Sequence, residues 1–297
     1  MKSGFVSLIG RPNVGKSTLL NSLINQKIAI TSNKPQTTRN IIQGIYNEEG
    51  YQIVFVDTPG IHKPINKLGK VLNKEAQCLC HDVDVVLFVA SAYEGLGSGD
   101  KKIIESLNGC NSPVILVLNK IDKLTNDEIM SSIVAYKDLY DFAEIVPISA
   151  LKKSNVDELV NTIKKYLTDN IRYFDEDEIT SSSTSFLVSE FVREKIFRMT
   201  EEEIPHSVTC ITTFFEEKKD IINIGVDIIV DRDSIKKIII GKQGALLKAV
   251  GTEARKDIEN LLGKQVYLEL YVKTIKNWRD KEKYLNELGF NEKDYIS

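Results

Sequence analysis

Gly10-Arg11-Pro12-Asn13-Val14-Gly15-Lys16-Ser17 fits the pattern G-x-x-x-x-G-K-[ST] and follows the apolar run Phe5 to Ile9, where a buried strand is expected. The pattern is that of a phosphate-binding loop. Glycines at its two ends let the backbone turn sharply and aim successive N–H groups inward, and the helix expected over Lys16 to Asn25 presents its positive end to the same anion. Lys16 is placed to reach the β- and γ-phosphates and Ser17 to ligate Mg²⁺.

The rest of the first half agrees with that beginning. Tyr51–Val56, Val83–Ala90, Val114–Leu118 and Ile145–Ile148 read as strands alternating with helical patterns, several of them apolar on both faces. That predicts an α/β domain over residues 1–168 with a mainly parallel sheet covered by helices on both sides. Ligands of such sheets gather at the carboxyl ends of the strands, and the polar motifs fall there.

After the first helix, Thr31-Ser-Asn-Lys-Pro-Gln-Thr-Thr-Arg39 reads as a mobile loop. A Thr in it, Thr38 in preference to Thr37, can complete a Mg²⁺ shell only while a γ-phosphate is present, which makes the loop a switch. Strand Tyr51–Val56 ends in Asp57-Thr58-Pro59-Gly60: Asp57 can hold Mg²⁺ through water and Gly60 can bring an N–H to the γ-phosphate. Asn119-Lys120-Ile121-Asp122 follows the strand Val114–Leu118. A carboxylate at Asp122 can accept from both N1–H and the 2-amino group of guanine, whereas adenine offers no donor at either position, so the base is read as guanine. Asn119 would tie this loop to the phosphate loop, the Lys120 stem would lie over the purine, and Ser149-Ala150-Leu151 would offer N–H groups to guanine O6.

Composition narrows the remaining choices. A chain of 297 residues, 42% hydrophobic and 27% charged, suits about two soluble domains. A net charge of −3 argues against nucleic-acid binding through bulk positive charge, so any such role must come from a local patch. Cys78, Cys80, Cys110 and Cys210 form neither a metal spacing nor a disulfide framework, which suits a reducing cytoplasm. Neither a signal peptide nor a spanning helix is expected.

Residues 169–185 turn acidic and then rich in Ser and Thr, and read as a flexible linker. From 186 the order becomes helix, strand (His206–Phe215), strand (Ile221–Val230), short apolar helix or turn, Gly241-Lys242-Gln243-Gly244, long helix (Ala245–Leu262), strand (Gln265–Lys273), then a closing helix around Leu285–Phe290. A GxxG between two helices in this order, with Lys242 inside it, reads as the backbone clamp of a smaller α+β type II KH domain, which grips about four nucleotides of single-stranded RNA. Lys236, Lys237, Lys242, Lys248, Arg255 and Lys256 face only Glu253 between residues 236 and 256, although residues 180–297 as a whole hold 19 basic and 20 acidic side chains. Trp278 reads as core.

The first-half motifs in this order resemble the translation-factor-related class of small GTPases. Ile61 stands where Ras-like relatives carry the Gln that positions water, so the attacking water must be placed otherwise. Asn13 and the Thr-Thr-Arg switch resemble relatives in which K⁺, held partly by that Asn, supplements the loop lysine; on that resemblance Asn13, Lys16, Thr38 and Gly60 form the catalytic set. With Val192-Arg-Glu-Lys195, Ile204-Pro-His-Ser-Val208, the stretch Ile240 to Gly251, Val266-Tyr-Leu-Glu-Leu270 and Trp278-Arg279, nearly the whole chain is similar to the Era family of bacterial GTPases. That resemblance implies GTP hydrolysis, binding near the 3′ end of 16S rRNA during small-subunit assembly, and peripheral association with the inner face of the membrane; a monomer is expected. Two rivals stand beside it: a binding module in which GTP only sets shape, and a membrane-linked cell-cycle signalling GTPase with secondary RNA binding.

Overall fold

A computed structural model describes residues 1–32, 34, 37–58 and 83–288. Pro59, Gly60, Ile61, Cys78, Cys80 and Phe290 lie outside them. The described residues form two compact units that part between Ser181 and Ser182.

In the first unit, β1 (Lys2–Ile9), β2 (Ile42–Glu48), β3 (Tyr51–Asp57), β4 (Val85–Ser91), β5 (Val114–Asn119) and β6 (Glu144–Pro147) make one six-stranded sheet in the order β2-β3-β1-β4-β5-β6. Every pairing is parallel except β2 with β3. Helices α1 (Lys16–Ile24), α2 (Ser98–Ser106), α3 (Asn126–Lys137) and α4 (Val156–Lys164) alternate with the strands. Strands β4 and β5 are buried along their whole length, as their unbroken apolar runs require of central strands covered on both faces. The order reverses at β1, between β3 and β4, and the loop that leaves β1 at this switch point is the phosphate loop.

Strand β2 was not expected. It follows the switch loop and pairs antiparallel with β3 from Ile42 opposite Asp57 to Glu48 opposite Tyr51. The acidic segment expected to be a flexible linker is also held. The buried Gln52 side chain accepts from the N–H groups of Tyr173 and Phe174 and donates to Phe174 O. Asn47 Nδ2 reaches the carbonyls of Glu176 and Glu178, Thr180 Oγ1 donates to Gln43 O, and Ile45 N–H donates to Ile179 O. Residues 169–181 therefore form a strap along the β2 edge, which gives that edge's backbone partners it would otherwise lack.

The second unit begins with α5 (Thr184–Met199), two residues earlier than expected, because the Ser183 side chain caps it by accepting from Phe186 N–H. Strands β7 (Val208–Glu217), β8 (Ile221–Val230) and β9 (Gln265–Thr274) form a sheet in that order, β7 antiparallel and β9 parallel to β8. Helices α6 (Asp233–Ile240) and α7 (Ala245–Leu262) make the crossover between the two parallel strands. A short turn, Trp278–Asp280, and α8 (Glu282–Glu287) close the unit. Trp278 is fully buried and its indole N–H donates to Ser207 O at 3.1 Å, a core residue with its polar atom satisfied.

Candidate functional site

The first site forms where β1, β3 and β5 end. Gly10 and Gly15 hold positive φ, at 156° and 102°. A Cβ on Gly10 would stand 2.2 Å from Val89 O and one on Gly15 2.3 Å from Asn119 Nδ2, so neither position has room for a side chain. Asn13 is exposed at the crest of the loop with φ 65°. Lys16 arches back over the loop and donates to Gly10 O at 3.0 Å and Arg11 O at 3.1 Å. Burial lowers its pKa to about 8, although Asp57 opposes that shift.

Three oxygens meet behind the lysine. Ser17 Oγ donates to Asp57 Oδ2 at 2.6 Å and lies 2.8 Å from Thr38 Oγ1. Asp57 is fully buried; burial raises its pKa to about 6, with Lys16, Ser17 and Thr38 pulling the other way. Its second oxygen, Oδ1, has no hydrogen-bond partner among the described residues. A buried carboxylate oxygen with nothing to accept, beside two hydroxyls, is an oxygen-only donor set suited to Mg²⁺. Thr37 is turned elsewhere, to Ser32 Oγ and Lys34 O, both at 2.7 Å. The structure thus brings Thr38, and not Thr37, to the other two.

Asn119 joins three loops. Its Nδ2 donates to Val14 O at 2.9 Å, and its Oδ1 accepts from the N–H groups of Lys120 at 2.8 Å and Ala150 at 3.0 Å. The Ala150 N–H, expected to face guanine O6, is here engaged by Asn119. Asp122 is exposed and accepts from Ser149 Oγ at 2.5 Å. Ile121 donates its N–H to Ile148 O, and Leu151 is exposed. Two expected nucleotide contacts point away from the site through their side chains: Thr58 Oγ1 donates to Leu8 O at 2.8 Å inside the sheet, and Arg11 reaches Asp100.

Sequence reading missed Glu94, whose carboxylate holds Lys120 Nζ at 2.6 Å, and the fully buried Asp100. Both follow β4, whose end carries no recognisable motif.

The second site lies between α7 and β9. Leu247, Lys248, Gly251, Thr252 and Arg255 form one wall of a groove of about 390 Å³, Tyr267, Leu268 and Leu270 the other, and Gly244 closes its end. The Gly241–Gly244 turn carries positive φ at Gly241, Gln243 and Gly244. Gly241, at φ 74° and ψ 176°, sits in a region nearly closed to other residues, and a Cβ there would come within 2.9 Å of Leu246 N. Of the expected RNA contacts, Gly244, Lys248 and Arg255 line the groove, and Gly241, Lys242 and Gln243 form the adjoining turn. Lys236 and Lys237 lie on α6 and do not line it. Tyr267 is half exposed in its wall of the groove, and Leu268 and Leu270 give that wall its apolar surface.

Residues 5–120 match the family described as 50S ribosome-binding GTPase, and residues 203–279 match the KH domain. A solved structure of a point variant of Aquifex aeolicus Era bound to GDP and AlF4⁻ is 42% identical, covers 98% of this chain and 99% of its own, and superposes with a TM-score of 0.93. Era in complex with MgGDPNP and nucleotides 1506–1542 of 16S ribosomal RNA matches with the same identity, coverage and score. The chain, a P-loop GTPase domain followed by a KH domain, belongs to the Era family of GTPases.

Proposed function

We propose that this protein binds and hydrolyses GTP with Mg²⁺, binds the 3′ end of 16S rRNA through its KH groove during small-subunit assembly, and couples the two. The observation that carries the reading is the Ser17–Thr38–Asp57 oxygen cluster behind the buried Lys16, in the same chain as a Gly-Lys-Gln-Gly turn opening onto an apolar, basic-rimmed groove. A relative 42% identical is an Era in complex with MgGDPNP and a 16S rRNA fragment.

Ser17 and Thr38 would ligate Mg²⁺ and Asp57 would hold it, directly or through water; the ion supplies charge neutralisation at the β- and γ-phosphates. Lys16 adds positive charge at the same oxygens. With GTP present it exchanges its bonds to Gly10 O and Arg11 O for phosphate, a stronger acceptor. Asp122 and Asn119 fix the base. We further propose that K⁺ beside Asn13 supplements Lys16, since position 61 holds an Ile, which cannot orient water. The protein would act as a monomer in the cytoplasm.

Single-turnover hydrolysis of GTP with and without Mg²⁺, run beside titration of a labelled 16S 3′-end fragment against the GDP and GTP-analogue forms, tests the whole reading. Hydrolysis that requires Mg²⁺ and RNA affinity that depends on the nucleotide are expected. Nucleotide binding without hydrolysis, with or without RNA, would reduce the protein to a binding module. Flotation with anionic vesicles tests the peripheral membrane contact implied by the family resemblance; among the described residues no helix is long and apolar enough to cross a membrane.

A further inference from the structure

The segment from Glu94 to Asp100, after β4, touches both loops that would hold the nucleotide. Glu94 carries Lys120 of the base loop. At the other end the Arg11 side chain leaves the phosphate loop and lies across the first turn of α2, its Nε donating to Asp100 Oδ1 at 2.8 Å and its Nη2 to Gly95 O at 3.3 Å. Asp100 is fully buried and both its oxygens are engaged: Oδ2 accepts from Gly97 N–H at 2.8 Å, closing the cap of α2, and from Tyr136 Oη at 3.1 Å on α3.

The backbone beneath Arg11 is cut to fit it. A Cβ on Gly99 would lie 2.6 Å from Arg11 Cδ, and one on Gly97 2.9 Å from Arg11 Nη1. Gly99 does not hold positive φ, so the backbone conformation there does not demand glycine; the room taken by the Arg11 side chain does. A buried carboxylate, a helix cap and a space kept clear by glycine thus converge on one side chain of the phosphate loop.

We propose that Asp100 is a positioning residue for nucleotide binding: it fixes Arg11, and through Arg11 the main chain whose N–H groups must be aimed at the phosphates. Asp100 touches no nucleotide itself. This rests on the GTP-binding reading above. Because the α- and β-phosphates are common to GDP and GTP, loss of the tether accelerates release of both nucleotides, raises KM, and leaves kcat nearly unchanged.

The test is the release rate of a fluorescent GDP, with steady-state kcat and KM, on the full chain carrying Asp100→Asn, Arg11→Ala, both together, and Gly99→Ala. Each of Asp100→Asn and Arg11→Ala is expected to speed release about tenfold, the low end of what a charge-assisted hydrogen bond is worth, and the double variant no more than either alone. Gly99→Ala leaves the Arg11 and Asp100 side chains chemically intact, but its Cβ takes the space of Arg11 Cδ, so it is expected to displace Arg11 and speed release. That variant carries the test should Asp100→Asn fold poorly. Effects of Asp100→Asn and Arg11→Ala that multiply, or a Gly99→Ala protein that releases GDP at the wild-type rate, would overturn the proposal. A wild-type chain that fails to bind GDP would instead bring down the nucleotide reading and this inference with it.

Discussion

The Ser17 hydroxyl donates to Asp57 Oδ2 across 2.6 Å, joining the first residues of α1 to the last residue of β3. With the Asp57 side chain fully buried and its Oδ1 left without a partner among the described residues, the pair is an oxygen donor set suited to Mg²⁺. Thr38 Oγ1, 2.8 Å from Ser17 Oγ, extends it from the switch. Thr38→Ala is therefore expected to weaken binding of a non-hydrolysable GTP analogue in Mg²⁺ while leaving GDP affinity within about twofold, because only the γ-phosphate state needs the switch oxygen. Thr37→Ala, which loses bonds to Ser32 and Lys34 instead, should leave the Mg²⁺ midpoint for analogue binding where it is. Mg²⁺ titrations of the two variants decide between them, and a larger shift for Thr37→Ala would reverse the assignment.

What the sequence made legible was local chemistry at strand ends. The phosphate loop could be read because its whole pattern lies within eight consecutive positions, and in space Gly10 and Gly15 stand where no side chain fits. Strand β2 escaped notice because Gln43, Gly44 and Asn47 interrupt its apolar alternation, and its register depends on β3. Residues 169–181 were misjudged for a similar reason. Their composition is that of a linker, and what orders them is the amide side chains of Asn47 and Gln52, more than a hundred positions away. Arg11 and Asp100 are likewise 89 positions apart, so no periodicity could have joined them.

Guanine selectivity should reside in Asp122, which is exposed at the mouth of the site and steadied by Ser149 Oγ. Asp122→Asn replaces an acceptor by a donor against N1–H and the 2-amino group of guanine, and an unmatched pair of this kind costs more than ~2 kcal/mol. The amide can instead donate to the 2-oxo group of xanthine. Competition between GTP and xanthosine triphosphate should therefore reverse in the variant. An unchanged preference for GTP would move base reading to another residue.

Cation dependence follows from what the two relevant positions can do. Ile61 lies outside the described residues, and its aliphatic side chain has no group with which to orient water whatever its placement. Asn13, exposed in the phosphate loop, carries an amide oxygen of the kind that binds K⁺. Exchanging K⁺ for Na⁺, or Asn13 for Ala, should slow single-turnover hydrolysis by about tenfold or more, and Ile61→Ala by less than about twofold. The effects of Na⁺ and of Asn13→Ala should not add, since both empty the same place. Turnover that ignores the cation would leave Lys16 and Mg²⁺ to carry the charge alone.

The Gly241–Gly244 turn allows RNA binding to be removed without disturbing the fold around it. Gly241 cannot be changed safely, since its φ and ψ and the nearby Leu246 N–H both require glycine. Lys242 and Gln243 can, because both side chains are exposed and belong to neither flanking helix. Gln243 holds φ at 52°, a conformation that Asp tolerates better than most residues, so Asp at this position keeps the backbone while adding charge. Lys242→Asp with Gln243→Asp turns one positive charge into two negative ones where a phosphodiester backbone must approach the main chain. Affinity for a 16S 3′-end fragment should fall by about a hundredfold or more, with a shallower salt dependence because fewer counterions are released on binding. Thermal unfolding and GTP hydrolysis without RNA should match wild type, since Lys16, Ser17, Thr38 and Asp57 all lie in the other unit. If nucleotide and RNA are coupled, the ratio of RNA affinities in the GTP-analogue and GDP forms must equal the ratio of nucleotide affinities with and without RNA. Measuring both ratios on the wild-type chain, then confirming that RNA no longer alters nucleotide affinity in the double variant, closes that cycle; a double variant that still responds to RNA would place the grip outside this turn.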